Sequence, residues 1–545
     1  MLFNSIEFII FFALVYCAYL ALPFRAQNYM LLVASYIFYG WWDVRFLFLV
    51  AVSTTVDFWV GLLIENGRLR SKQLFGPAVF LSISAIVFLC LNPASLLTFG
   101  QHNYDFVSLI RWSVIDWVAA EAVAFLAGMG VVYLTISKLQ GPARRTFCLM
   151  ISVTTQLGLL GVFKYFNFFI DSLSSALTSA GVPTSSLHLD IVLPVGISFY
   201  TFQSLSYTID IYRGQFKPIT RFFDFALFVA YFPQLQAGPI ERARQLIPQL
   251  SKRRQLDFEQ ITRGLYLILF GFFKKVAIAD GVAPVVDQIF GSAGRVTWID
   301  VVAGAVLFAV QIYCDFSGYT DIARGISKLF GIEMVINFNQ PYFSTNPQEF
   351  WHRWHISLST WLRDYLYITL GGNHGNLAFV CRNIMITMLL GGLWHGAAWN
   401  FVLWGFYQGS LLCIYRIWHQ IKDTKERTLS RSFITQTISI AGFFAFVCYG
   451  WLLFRSHSLT QIVDFTRLLF VDFGNIDYGA GLPRMSALLG LALLIPMEII
   501  QYWKADAHYY QRFPVPLRGC FIAALIVVIM IGTSNEPAQF IYFQF

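Results

Sequence analysis

The chain predicts an all-α polytopic membrane protein, and three observations carry that prediction. Of its 545 residues, 57% are hydrophobic and only 12% are charged, where an ordinary soluble domain carries about 25% charged residues. Apolar runs recur throughout the sequence, many of them near the roughly 20 residues that cross a bilayer as a helix. Basic residues gather in the short polar segments between those runs, the pattern of cytoplasmic loops. No long polar block separates the runs, so residues 1–545 read as a single integral-membrane domain.

The elements follow in order. The apolar stretch within Met1–Phe24 lacks a basic leader and a small-residue cleavage site, and reads as a retained first helix. Further runs begin near Met30, Leu47, Phe75, Ala120, Phe147, Ile191, Ile261 and Trp298. The last begin near Phe379, Ala397, Phe433, Met485 and Leu517. The basic segments Glu65–Gln73, Lys138–Arg145, Arg213–Arg221, Arg242–Arg254, Lys422–Arg431 and Lys504–Arg518 belong inside, and Ser172–Asp190, without Lys or Arg, belongs outside. That scheme closes only if Phe222–Ala237, flanked on both sides by basic residues, enters the membrane and returns to the same face. Its Pro233 and the following Gly238-Pro239 are tolerable at that depth where protein or a water-lined cavity surrounds the backbone. A modest extracytoplasmic loop is expected at Thr460–Pro483.

Charge and cysteine content narrow the function classes. The net charge of +8 is accounted for by inside-facing loops, so no nucleic-acid partner is expected. The eight cysteines are scattered through apolar runs without a CxxC pair, which suggests neither a zinc site nor a disulfide framework.

One stretch, Glu349–Gln408, concentrates the chemistry. His395 stands in Gly391-Gly392-Leu393-Trp394-His395-Gly396, inside an apolar run. An ionisable group there is a functional hypothesis by default. Burial keeps an imidazole neutral, the form that takes a proton from a hydroxyl. The bland alternative is a buried histidine satisfied by a neighbouring helix. Glycines on both sides, which admit close backbone or substrate approach, favour the base. Glu349, His352 and His355 stand at i, i+3 and i+6, roughly one helix face. Glu-x-x-His is a di-iron pattern, but its matching second copy is missing from the sequence, so no metal is assigned. His355 is the better candidate for a second catalytic or orienting group. Arg363 and Asp364 read first as a salt bridge. Asp315, Ser317, Tyr319 and Asp321 either line a substrate path or hold helices together. Arg242, Arg244, Lys252, Arg253 and Arg254, with Lys274 and Lys275, either bind donor phosphates or signal topology.

A set of short motifs runs in order along the chain: Ser35–Trp42, Phe163–Phe168, Leu193–Tyr200 and Ile209–Gly214. It continues with Phe232-Pro233-Gln234, Gly238-Pro239, Asp315–Tyr319, Trp354–Trp361 and Leu393–Gly396. The ordered set spans nearly the whole chain, and it resembles the membrane-bound O-acyltransferases, and within them the bacterial alginate O-acetylase type. The resemblance implies a ring of helices with re-entrant segments around a central funnel, and a catalytic core at 191–416. His352 stands where an Arg is more usual, and 76–137 looks like an inserted helical pair.

By that resemblance His395 and His355 are the catalytic pair. Asp315, Ser317, Tyr319, Trp354, Ser357, Trp361, Asp364, Trp394 and Asn400 are assigned to the substrate funnel. No cofactor is expected to be bound; acetyl-CoA is the expected acyl donor. The expected partners are an extracytoplasmic polysaccharide such as alginate, membrane lipid and a separate periplasmic esterase-like (SGNH) acetyltransferase. The expected place is the bacterial inner membrane. D-alanyl transfer to teichoic acid, a non-enzymatic polysaccharide transporter and a membrane metal oxygenase are the competing functions.

Overall fold

The computed structural model describes residues 1–90, 115–182, 188–189, 191–235, 238–291, 296–421, 433–474, 477–506, 509–534 and 540–541. The described residues form helices and connecting segments, with no strand among them. Among the described residues, seven helices are long and apolar enough to cross a membrane: Phe46–Asn66, Gly141–Ser179, Trp298–Leu329, Leu377–His395, Phe433–Arg455, Met485–Lys504 and Val515–Gly532. The all-α, multi-pass reading of the sequence therefore holds. The chain folds as two compact units, one of residues 1–236, 240–255 and 330–333, the other of 237–239, 256–329 and 334–545.

The first unit is built on helix α1 (Phe46–Asn66), which is buried along nearly its whole length. Helices α2 (Gly141–Ser179) and α3 (Ile197–Tyr212) pack on it. A buried carboxylate joins the three. One oxygen of Asp57 accepts from Ser152 Oγ at 2.6 Å and the other from Gln156 Nε2 at 2.8 Å. Ser152 in turn meets Thr208 Oγ1 at 2.9 Å, and Ser53 meets both Gln156 Nε2 and Ser204 Oγ. Interhelical hydrogen bonds of this kind hold helices together where water is excluded. The stretch expected to enter and return consists of helices of nine and four residues, Phe222–Ala230 and Phe232–Leu235. Both are too short to span a bilayer, and Phe225, Phe228 and Phe232 are fully buried. Of the expected insertion at 76–137, the two flanks are helical, in Ser71–Cys90 and Ile115–Lys138, and the segment 91–114 lies outside the described residues.

The second unit carries the polar stretch singled out from sequence. Its backbone is the pairing of α4 (Phe258–Phe272) with α5 (Trp298–Leu329). Gly264 and Gly271 on one face Gly325 and Gly318 on the other. A Cβ on Gly325 would stand 2.6 Å from the Gly264 carbonyl oxygen, and one on Gly318 2.8 Å from that of Gly271. These helices approach backbone to backbone, as small residues permit in membranes. Between α4 and the next helix the chain widens into a π-helical turn, 273–279, which buries both Lys274 and Lys275. Wide turns of this kind recur at functional sites. Lys274 Nζ lies 2.5 Å from Asp321, and Lys275 Nζ lies 2.8 Å from both Asp280 and Asp315. Helices α6 (Leu377–His395) and α7 (Trp399–Ile421) form a tight hairpin. There a Cβ on Gly392 would meet the Gly405 Cα at 3.1 Å. Asn376 starts α6 by accepting from Phe379 N at 2.9 Å, an N-cap contact.

Candidate active site

The site grows from a break in the chain. Asn346 caps a short helix, Pro347–Arg353, by accepting from Glu349 N at 2.9 Å. That helix stops at Trp354, and His355 adopts φ 43°, in the left-handed region. The sequence pattern at 349, 352 and 355 had suggested one helical face; the structure corrects this. Glu349 and His352 lie on the helix, and His355 lies beyond it, capping the next helix, Ile356–Trp361. Left-handed backbone is unusual for a residue with a Cβ, so the surroundings must hold it there. Asn337 does so: its carbonyl backbone oxygen accepts from Ile356 N at 2.9 Å. Its side-chain oxygen accepts from Ser357 N at 3.1 Å and Ser357 Oγ at 2.9 Å.

The same oxygen lies 3.1 Å from His355 Nδ1, and this determines the tautomer. A backbone N–H can only donate, so the Asn337 atom facing Ser357 N is the oxygen. An oxygen acceptor requires a proton on Nδ1, which leaves Nε2 with its lone pair. Nε2 is buried and has no hydrogen-bond partner among the described residues. His355 is wholly buried and stands outside the seven spanning helices. Burial pushes its imidazole down to about 3, so the ring is neutral.

His395 is the last residue of α6 and is 5% exposed. Its ring centroid lies 6.5 Å from that of His355. Trp394 and Trp404 stand 5.0 Å away and Phe454 5.3 Å away, all edge-on. Trp451 stacks on Trp404 at 6.1 Å, and Trp354 approaches Trp451 at 4.8 Å. Trp351 and Trp404 each bury an indole N–H that has no hydrogen-bond partner among the described residues. A cavity of about 290 Å³ has Trp351, His352, Arg363 and Arg416 on its wall. Trp351 lies 5.9 Å from Trp404, so two indoles stand between this cavity and His395.

The remaining expected residues take distinct places. Trp394 lies 5.8 Å from His355, between the two histidines in sequence and in contact with both. Ser357 binds Asn337, and Trp354 packs on Phe338 at 4.9 Å. Asn400 donates to the Phe454 and Ser456 carbonyls at 3.0 and 3.1 Å, which ties the Phe454 segment to α7. Trp361 is buried against Tyr365 at 5.1 Å, and Asp364 pairs with the exposed Arg363 at 2.7 Å. On α5, Asp315 pairs with Lys275, and Tyr319 lies under the same ammonium at 5.6 Å. Ser317 is buried, its Oγ without a partner among the described residues. Of the basic cluster, Arg244, Lys252 and Arg253 are exposed, whereas Arg254 donates to Asn28 at 2.7 Å. Glu349 is occupied by Arg353 at 3.0 Å and by Thr345. Asn337 was missed from sequence. It stands in Val335-Ile336-Asn337-Phe338-Asn339, where nothing distinguishes it from a surface amide.

The multi-pass helical chain thus buries two neighbouring imidazoles in an aromatic enclosure. The family model of the membrane-bound O-acyltransferases matches residues 217–460, and the chain belongs to that family. It is 38% identical to the protein named "Probable alginate O-acetylase" of Azotobacter vinelandii, over 95% of this chain and 87% of that one. It is 37% identical to the protein of the same name in Pseudomonas putida, over 96% and 95%. A "Peptidoglycan O-acetyltransferase" of Helicobacter pylori is 35% identical over 60% of this chain and 65% of its own length. The protein is thus a membrane-bound O-acyltransferase.

Proposed function

We propose that the protein transfers an acetyl group from a cytoplasmic thioester, acetyl-CoA, to a hydroxyl destined for an extracytoplasmic polysaccharide such as alginate, in the bacterial inner membrane. The O-acetylase and O-acetyltransferase names of its relatives support acetyl as the group moved. The basic segments on one side of the predicted topology support a cytoplasmic donor entrance. The catalytic core is 191–416. A periplasmic SGNH-type partner completes delivery to the polymer.

The observation that carries the reading is the histidine pair, 6.5 Å apart, with His355 Nε2 buried and unpartnered among the described residues. In the step, the acceptor oxygen attacks the thioester carbonyl while His395 takes the hydroxyl proton. The C–S bond breaks and the proton passes to the departing thiolate. His395 ends its helix, so the imidazolium formed midway sits at the negative end of the helix dipole. His355 has no proton on Nε2 to give a carbonyl. Its lone pair instead accepts from a second hydroxyl of the acceptor and so orients the one that reacts, the orienting role among those the sequence left open.

The test is turnover of radiolabelled acetyl-CoA by purified protein in nanodiscs, following CoA release and label transfer, wild type beside His395→Ala. Loss of a positioned base should lower turnover by about 10²–10⁴-fold. Equal turnover in both proteins would remove His395 from the chemistry.

A further inference from the structure

The site has a support that its chemistry does not call for. Phe540 and Ile541 are buried to 0% and 1% exposure, deep in the second unit. Ile541 N donates to Asp315 Oδ2 at 2.7 Å. The other oxygen of that carboxylate lies 2.8 Å from Lys275 Nζ, which also meets Asp280 at 2.8 Å. The Phe540 ring lies 4.4 Å from Tyr319 and 5.9 Å from Phe316. Asp315, Phe316 and Tyr319 all stand on α5, so one stretch of helix receives both the backbone hydrogen bond and the ring.

Phe316 leads directly to the active site. Its ring stands edge-on to His355 at 4.7 Å, the nearest ring to that imidazole among the described residues. It also packs edge-on to Phe338 at 5.0 Å, the residue after Asn337. Phe316 therefore touches the imidazole and the segment whose amide sets its tautomer. His355 sits in a backbone conformation that its own side chain disfavours, so its ring orientation depends on what presses against it.

Building on the role given to His355 above, we propose that Phe540 and Ile541 are positioning residues. Docked on Asp315, Phe316 and Tyr319, they hold Phe316 against His355 and so keep Nε2 aimed at the acceptor. Asp315 and Tyr319, which read from sequence as funnel lining, are on this account the receptor for that strut. The Lys275–Asp280–Asp315 group fixes the carboxylate that Ile541 grips.

The experiment compares wild type, Phe540→Ala, Phe540→Leu and Ile541→Pro in nanodiscs. It reads kcat and KM for acetyl-CoA, thermal stability, and the ring ¹⁵N signals of histidine-labelled protein. Phe540→Ala should lower kcat by about tenfold, the scale of a lost orienting contact, with KM within about twofold. Phe540→Leu should recover most of that loss, and the His355 signals should shift in Phe540→Ala. Ile541→Pro removes the donated N–H, fixes φ and replaces the buried side chain, and should give a change of the same kind; it decides the matter if Phe540→Ala does not fold. A folded Phe540→Ala protein with wild-type kcat and unmoved His355 signals would overturn the proposal. So would a kcat loss that tracks lost stability while those signals stay fixed. If His355→Ala and His395→Ala turned over like wild type, the functional reading would fall instead, and the ¹⁵N signals would still judge the strut.

Discussion

Two buried polar groups, one in each unit, look alike in sequence and differ in construction. Asp57 lies in a spanning helix, fully buried, and by default an ionisable group there invites a functional reading. Yet both its oxygens accept hydrogen bonds, from Ser152 and Gln156, and the surrounding hydroxyls join α1 to α2 and α3. The histidine site is held more sparingly. His355 is bonded through Nδ1, its Nε2 has no partner among the described residues, and the indole N–H groups of Trp351 and Trp404 share that condition. An unsatisfied buried polar group costs roughly 1–3 kcal/mol; in the Asp57 cluster that cost falls on Gln156 Oε1, while the carboxylate itself is paired at both oxygens. A bonded carboxylate fastens helices; on the proposed reading, the unbonded nitrogen is the one that meets the acceptor.

Substitutions can break that contrast, starting with the largest effect. His395→Ala should reduce turnover by about 10²–10⁴-fold while the protein melts near the wild-type temperature. Next comes Asn337→Ala, which frees the His355 tautomer. It should lower kcat by about ten- to a hundredfold, as lost orienting partners do. Asn337→Asp, which retains the accepting oxygen, should recover part of the loss. Full activity in Asn337→Ala would show that the tautomer is irrelevant.

A pH series sharpens the same point. Burial holds His355 down to about 3, against 6.5 for the free side chain. The unfolded chain therefore binds a proton that the folded chain refuses. Stability should be unaffected above pH 6.5 and should fall as pH drops from 6.5 towards 3, by up to about 1.4 kcal/mol per pH unit. Melting curves at pH 7.5 and 5, wild type beside His355→Gln, should show a shallower decline in the variant. An equal decline in both would assign it elsewhere.

The smallest expected effect lies on the other side of the comparison. Asp57→Asn should keep kcat within about twofold and weaken the fold by about 1–2 kcal/mol, the range of interhelical hydrogen bonds in membranes. A loss of turnover without loss of stability would mean that Asp57 has chemistry after all.

Much of this was legible in the residues. Apolar length announced the helices, and the glycines beside His395 announced a close approach, seen in the packing of Gly392 on Gly405. The motif at Leu393–Gly396 pointed to His395 because polarity inside an apolar run is rare. The break at Trp354 was not legible, because i, i+3 and i+6 spacing fits a continuous helix and only tertiary contacts impose the left-handed turn. Asn337 escaped for a related reason. An amide becomes functional by what it faces, and Asn337 faces residues 18 and 20 positions away. Phe540 and Ile541 follow the polar run Thr533-Ser534-Asn535-Glu536-Pro537-Ala538-Gln539, and nothing in those residues ties them to Asp315, more than two hundred positions earlier.

The left-handed backbone at His355 has a further meaning for how such a protein can change. Its φ of 43° is a conformation that costs a side-chain-bearing residue on the order of 1–3 kcal/mol, and glycine adopts it freely. His355→Gly would release that tension, yet it would also lose the Asn337 contact and leave a hole where a wholly buried ring packs on Phe316 and Trp394, a larger cost. The ring thus anchors the backbone that it strains. Drift to glycine at 355 would lose packing and reaction together, which closes the position to the residue its backbone would otherwise favour.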